Sequence, residues 1–152
     1  MTISNVVAGA LIDPVWGNSA ADEINARRML DYASIGSAIG PITTVTDVSG
    51  LSVTWTADPG RLYLIRLDYS AYAFAINNIG SAQITDPSNV VQGSIVSPFL
   101  SNSVGMTVHG TLLQLGLSGS ITRKVRYTQA AGSGGVYMGG GATLSVSDVG
   151  PV

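Results

Sequence analysis

Charge is scarce in this sequence. Asp, Glu, Lys and Arg make up 11% of its 152 residues, less than half the quarter usual for a globular chain. The formal net charge is −2, with seven Lys and Arg in all, which excludes the clustered positive charge that a nucleic-acid partner requires. Cysteine is absent, so there is no disulfide, no thiolate nucleophile and no Cys-ligated metal. A single histidine, His109, excludes any site built on two imidazoles. No run of about 18 apolar residues exists to cross a membrane as a helix. What is present is a 45% hydrophobic content, a mean hydropathy of +0.35 and about 30 Ser and Thr. That balance argues for a packed core and against disorder. A lone domain usually stays dispersed through its surface charge. Here hydroxyls must do part of that work, and neighbouring subunits must cover part of the surface.

The chain divides into three parts. Residues 1–17 read as an extended arm. Its apolar run, Val6 to Ile12, has no Lys or Arg before it and is closed by Asp13-Pro14, so it reads as a mature arm more than a secretory signal. Residues 18–40 read as a helix and a connection. Ser19 and Asp22 resemble a capping box, Glu23, Arg27 and Asp31 fall at i, i+4 spacing, and Ala26, Met29, Leu30 and Ala33 share one face, which predicts a helix over Ser19–Ala33. After Gly40-Pro41 the period becomes two. Leu51, Val53 and Trp55 alternate with Ser52, Thr54 and Thr56, and further strands centre on Tyr63–Tyr69, Ile121–Thr128 and Leu144–Ser147. Asp58-Pro59-Gly60 and Asp86-Pro87-Ser88-Asn89 are turn sequences. Residues 41–152 therefore read as an antiparallel β-sandwich or jelly roll of about eight strands.

Chemistry-bearing groups are sparse. His109 is the one candidate general base, but no Gly-x-Ser-x-Gly elbow accompanies it, and it reads as structural. Of the carboxylates, Asp68 alone lies within a strand, while the others suit caps and turns. No calcium loop and no phosphate loop is present. Arg123, Lys124 and Arg126 form the one basic cluster, read as a solvated face or a charge-protected edge. Tyr63, Tyr69, Tyr127 and Tyr137 are either core or contact residues between subunits, since Tyr buries area and keeps a polar handle. Trp16, on the arm, needs a surface to dock on.

Several segments together resemble a family. They are Asp13-Pro14-Val15-Trp16-Gly17-Asn18, Asp22-Glu23-Ile24-Asn25-Ala26-Arg27-Arg28, Gly50-Leu51-Ser52-Val53-Thr54-Trp55-Thr56-Ala57, Gly60-Arg61-Leu62-Tyr63, Ile84-Thr85-Asp86 with Asn89, and Leu144-Ser145-Val146-Ser147-Asp148-Val149-Gly150-Pro151. They resemble small virion proteins of tailed bacteriophages, above all siphophages that infect actinobacteria, whose members are head decoration proteins, head fibres or minor tail proteins. The strand half also resembles the trimeric jelly rolls of the tumour-necrosis-factor and C1q type. The resemblance implies a homotrimer on the capsid exterior that clamps adjacent major capsid proteins, made in the host cytoplasm, where a cysteine-free chain folds without loss. It implies no enzyme activity and no cofactor. Val6, Val7, Leu11, Ile12, Val15 and Trp16 are the expected grip on the capsid, and Tyr63, Tyr69, Tyr127 and Tyr137 the expected trimer interface. Fixing an arm costs about 1 to 2 kcal/mol per residue, which burial of large side chains at about 1.5 to 3 kcal/mol each offsets. The alternative is a minor tail or fibre-tip protein that binds a host surface glycan. A cell-wall hydrolase using His109 and Asp68 is the third reading.

Overall fold

The alternation after Pro41 does produce strands, and they begin earlier than the sequence suggests. The computed structural model describes residues 28–75, 77–100 and 105–152, with the side chains of 98–100 left aside. It shows ten strands: β1 (Met29–Ser34), β2 (Ile39–Ile42), β3 (Thr46–Ala57), β4 (Arg61–Tyr72), β5 (Asn78–Thr85), β6 (Val91–Leu100), β7 (Met106–Gln114), β8 (Gly119–Ala131), β9 (Val136–Met138) and β10 (Thr143–Pro151). They form two antiparallel sheets. In one the order is β3-β8-β5-β6; in the other β1-β10-β4-β9-β2, with β7 on the opposite side of β4.

The core lies between the sheets. One residue in two along each strand points inward, as strand geometry requires. Tyr63, Ile65, Leu67 and Tyr69 of β4 and Leu144 and Val146 of β10 meet Leu51, Val53 and Trp55 of β3 and Val125 and Tyr127 of β8, all buried. The turns form where the sequence places them. Gly60 holds the positive φ (78°) of the Asp58-Pro59-Gly60 turn, and the Asp58 N–H donates to the Tyr63 hydroxyl at 2.7 Å. At the next turn the Asp86 carboxylate accepts from the Val90 N–H at 2.9 Å.

Two expectations are corrected. Residues 29–33 are strand, not the end of a helix, and among the described residues there is no helix. The rest of that helix and the whole arm lie outside the described residues. The physical reason is that β10 has an open edge beside these residues. Met29, Tyr32, Ala33 and Ser34 pair with Ser147, Ser145, Leu144 and Thr143, and this ladder outweighs a helical spacing of small and apolar side chains. Asp31 joins the two sheets, accepting from the Thr54 N–H at 2.7 Å and from the Tyr32 N–H at 2.8 Å. The second correction concerns the basic cluster. Strand β8 lies between β3 and β5, so Lys124 and Arg126 protect no edge; both pair with Asp47 of β3, at 2.7 and 2.9 Å. Arg123 points the other way and is buried. Its Nε donates to the Gln114 side-chain oxygen and its Nη1 to the Thr122 carbonyl, both at 2.9 Å.

Candidate functional site

The two sheets present unlike outer faces. That of β3-β8-β5-β6 is hydroxyl-rich and ionic. Ser52, Thr54 and Thr56 lie opposite Lys124, Thr122 and Ser120, Thr54 and Thr122 share a hydrogen bond at 2.9 Å, and Asp47 binds two cations. Water solvates such a face well.

The other sheet is different, and its register lays out three rows on its outer face. Met29, Ser147, Leu64 and Leu113 align across β1, β10, β4 and β7. Tyr32, Ser145, Arg66 and Thr111 form the next row, and Ser34, Thr143, Asp68 and His109 the third. The first row is apolar except for Ser147 and is open at both ends: Met29 is 62% and Leu113 60% exposed. The apolar residues on both faces of β4 are explained by this row, since Leu64 faces outward.

Strands β6 and β7 close the open flank of the sandwich. Side chains of one strand seat on glycines of the other: a Cβ on Gly110 would collide with the Ile95 side chain, and one on Gly93 would lie 3.4 Å from that of Leu112. Both are terminal strands of their sheets. Neither carries an Asp, Glu, Lys or Arg. Val91, Val96, Met106 and Leu113 are exposed along them. Soluble monomers guard such edges with charge, bulges or cover. The signal was present in the sequence and not used: positions 87 to 122 contain no Asp, Glu, Lys or Arg.

Three polar groups stand on this side as a unit. His109 Nδ1 lies 2.5 Å from one Asp68 oxygen, and Arg66 Nε donates to the other at 2.7 Å. Burial alone would raise the Asp68 pKa; the hydrogen bonds from His109 and Arg66 outweigh it and hold the carboxyl below its ordinary value. The structure thus joins the two residues of the hydrolase reading. Among the described residues no hydroxyl is hydrogen-bonded to the other imidazole nitrogen, and no cluster of three metal-ligating side chains occurs.

The expected interface tyrosines divide. Tyr63, Tyr69 and Tyr127 are at most 2% exposed, enclosed by the protein's own core and closed to a neighbour. Tyr63 packs on Trp55 at 5.8 Å and Tyr69 on Tyr127 at 5.7 Å. Tyr69 hydrogen-bonds Ser97 at 2.8 Å, while the buried Tyr127 hydroxyl has no partner. Burial and then the adjacent Tyr69 push the Tyr127 phenol well above its ordinary range. Tyr137 is the exception. It pairs across strands with Tyr72 and stacks on it at 4.9 Å and 9°, with the exposed Phe74 edge-on at 5.1 Å. Val6, Val7, Leu11, Ile12, Val15 and Trp16 lie outside the described residues. Among the described residues no helix is long and apolar enough to cross a membrane.

No protein-family model and no curated protein matches the chain. Solved structures do. Eiger TNF from S. frugiperda is similar over 82% of this chain and 96% of its own, at 9% identity and a TM-score of 0.50. The globular domain of zebrafish complement 1qA protein is similar over 81% and 99%, at 19% identity and a TM-score of 0.42. The infectious bursal disease virus VP2 subviral particle is similar over 79% of this chain and 32% of its own, at 9% identity and a TM-score of 0.45. The structural neighbours thus include jelly-roll domains of the TNF and C1q kind and viral capsid proteins. At these identities the likeness is one of fold.

Proposed function

We propose that this protein is a bacteriophage virion structural subunit, a decoration protein that trimerises on the outer capsid and clamps adjacent major capsid proteins. The observation that carries this reading is the charge-free β6/β7 flank, continuous with the Met29, Leu64 and Leu113 row. Exposed apolar surface flanking two strand edges that carry no Asp, Glu, Lys or Arg calls for permanent cover, and a charge-depleted core with aromatic and apolar side chains is how protein contacts are composed. A second copy is the occupant: the face is self-neutral, with Arg66 and Asp68 paired on it, so a neighbouring copy in the head-to-tail contacts of a closed trimer covers it without net repulsion. The arm residues Val6, Val7, Leu11, Ile12, Val15 and Trp16 are assigned to the major capsid protein. Three arms per trimer multiply a weak grip through effective concentration. The function is mechanical, an added bond between capsomers against internal pressure.

The test is binding to purified expanded shells. The full chain is expected to decorate them at hundreds of copies per particle, while a variant lacking residues 1–17 stays trimeric and does not bind. Full occupancy by the truncated protein would overturn the arm's role.

One observation favours the alternative, a minor tail or fibre-tip protein binding a host surface glycan. Phe74, with the Tyr72–Tyr137 stack beside it, is an exposed aromatic platform, a surface on which a sugar ring can stack. A handful of copies per virion, and loss of host-cell adsorption in Phe74→Ala, would select this reading over decoration.

A further inference from the structure

Strands β6 and β7 carry one titratable side chain among their described residues, His109. It stands at the outer end of the third row, on the strand that borders the flank assigned above to self-contact. We infer that His109 makes that contact pH-dependent, with copies associating when the imidazole is neutral and separating when it is protonated. This rests on the reading of the flank as a self-contact.

The argument is one of charge on a face that has almost none. Strand β4 faces His109 with Asp68, and Arg66 binds the second oxygen of the same carboxylate. Strand β10 contributes only the hydroxyls of Ser145 and Thr143 to these rows, β1 contributes Ser34 and the phenol of Tyr32, and β6 contributes no ionisable group. With neutral His109 the Arg66, Asp68 and His109 unit sums to zero. With protonated His109 it carries one positive charge, and no described residue on β6, β7 or the outer rows supplies a second carboxylate. An isolated subunit solvates that charge, for the His109 side chain is 61% exposed. A subunit in contact must take it out of water beside apolar neighbours, and must do so once per copy, which disfavours the contact. Histidine is the side-chain type that ordinarily changes charge between pH 5 and 8. By linkage, each subunit that releases one proton on association changes the association constant about tenfold per pH unit on the acid side, so a trimer changes about a thousandfold.

The experiment is sedimentation velocity of the full chain at pH 8, 7, 6 and 5, with His109→Gln alongside. Carboxylates are ionised through most of this window, and His109→Gln separates the imidazole from the α-amino group, which also titrates there. The expected result is a trimer at pH 8 that dissociates towards pH 5, and a His109→Gln protein that remains associated throughout. Wild type that stays associated with an unchanged constant from pH 8 to 5 overturns the inference and leaves the assembly reading standing. So does an unchanged pH slope in His109→Gln. Wild type monomeric at every pH overturns the assembly reading and the inference with it. A second readout does not depend on the glutamine variant: His109→Lys fixes the positive charge and is expected to be dissociated at pH 8, and association as tight as that of wild type at pH 8 overturns the inference.

Discussion

Replacing Leu113 by Arg tests the assembly surface most directly. Leu113 stands at the β7 end of the apolar row, opposite Leu64, and is 60% exposed. Its own fold therefore depends little on it, and the thermal midpoint is expected to stay close to that of wild type. Full burial of a leucine contributes about 1.5 to 3 kcal/mol, so covering the exposed part contributes about 1 to 2 kcal/mol per contact. A closed trimer repeats the contact three times. Loss of burial alone then removes about 3 to 6 kcal/mol, or about two to four orders of magnitude in the trimer association constant. The guanidinium adds its own desolvation cost, partly relieved if its stem lies along apolar surface and the head reaches water. Light scattering coupled to size exclusion at micromolar concentration reads the outcome. Leu113→Arg is expected to run as a folded monomer where wild type runs as a trimer. Thr54→Arg, on the exposed outer face of the other sheet, is the control and is expected to leave the trimer intact. A Leu113→Arg protein that assembles as wild type does would refute the reasoning, because no contact could then cover this row.

Three further predictions concern the sandwich itself. A Cβ on Gly80 would collide with the Tyr127 hydroxyl, so Gly80→Ala is expected to cost about 1 to 3 kcal/mol in urea unfolding. Tyr127→Phe should recover part of that loss, and alone should be neutral or stabilising, because it removes a buried hydroxyl with no partner. Asp31→Ala removes the acceptor for two backbone N–H groups and should cost about 1 kcal/mol, with Asp31→Asn retaining part of it in the same assay. The hydrogen bond from Lys124, with the charges of Lys124 and Arg126, holds Asp47 below its ordinary value. A carboxyl with a lowered folded-state pKa contributes stability that is present above about pH 4 and lost as pH falls through the folded value. The urea midpoint of Asp47→Asn should therefore fall less steeply than that of wild type below pH 4; equal slopes would mean the pair contributes nothing.

Some of this architecture was readable residue by residue. The hydroxyl and apolar alternation of Leu51–Thr56 named both the strand and its buried face, because a side-chain period of two is a local property of extended backbone. The Asp58-Pro59-Gly60 and Asp86-Pro87-Ser88-Asn89 turns likewise depend only on their own residues. Met29–Ala33 has the i, i+3, i+4 spacing of a helix and nonetheless forms strand, because the deciding partner, β10, lies more than a hundred positions away. Tyr63, Tyr69 and Tyr127 read as either core or contact residues, and the chain buries all three in its own core. A tyrosine is equally suited to a core and to an interface, and only the pairing of β4 with β7 and β10, and of β8 with β3 and β5, sets which way each ring points.

The amino-acid sequence by itself determined that this chain forms strands, where it turns and that it carries too little charge for its surface, since each of these is a property of neighbouring residues or of composition. Tertiary structure alone decided which strands are edges, that the uncharged strands β6 and β7 lie on one flank, and that His109 and Asp68, 41 positions apart, share a hydrogen bond. Those follow from long-range ladder pairing, in which one residue's direction is set by a partner that no local pattern names.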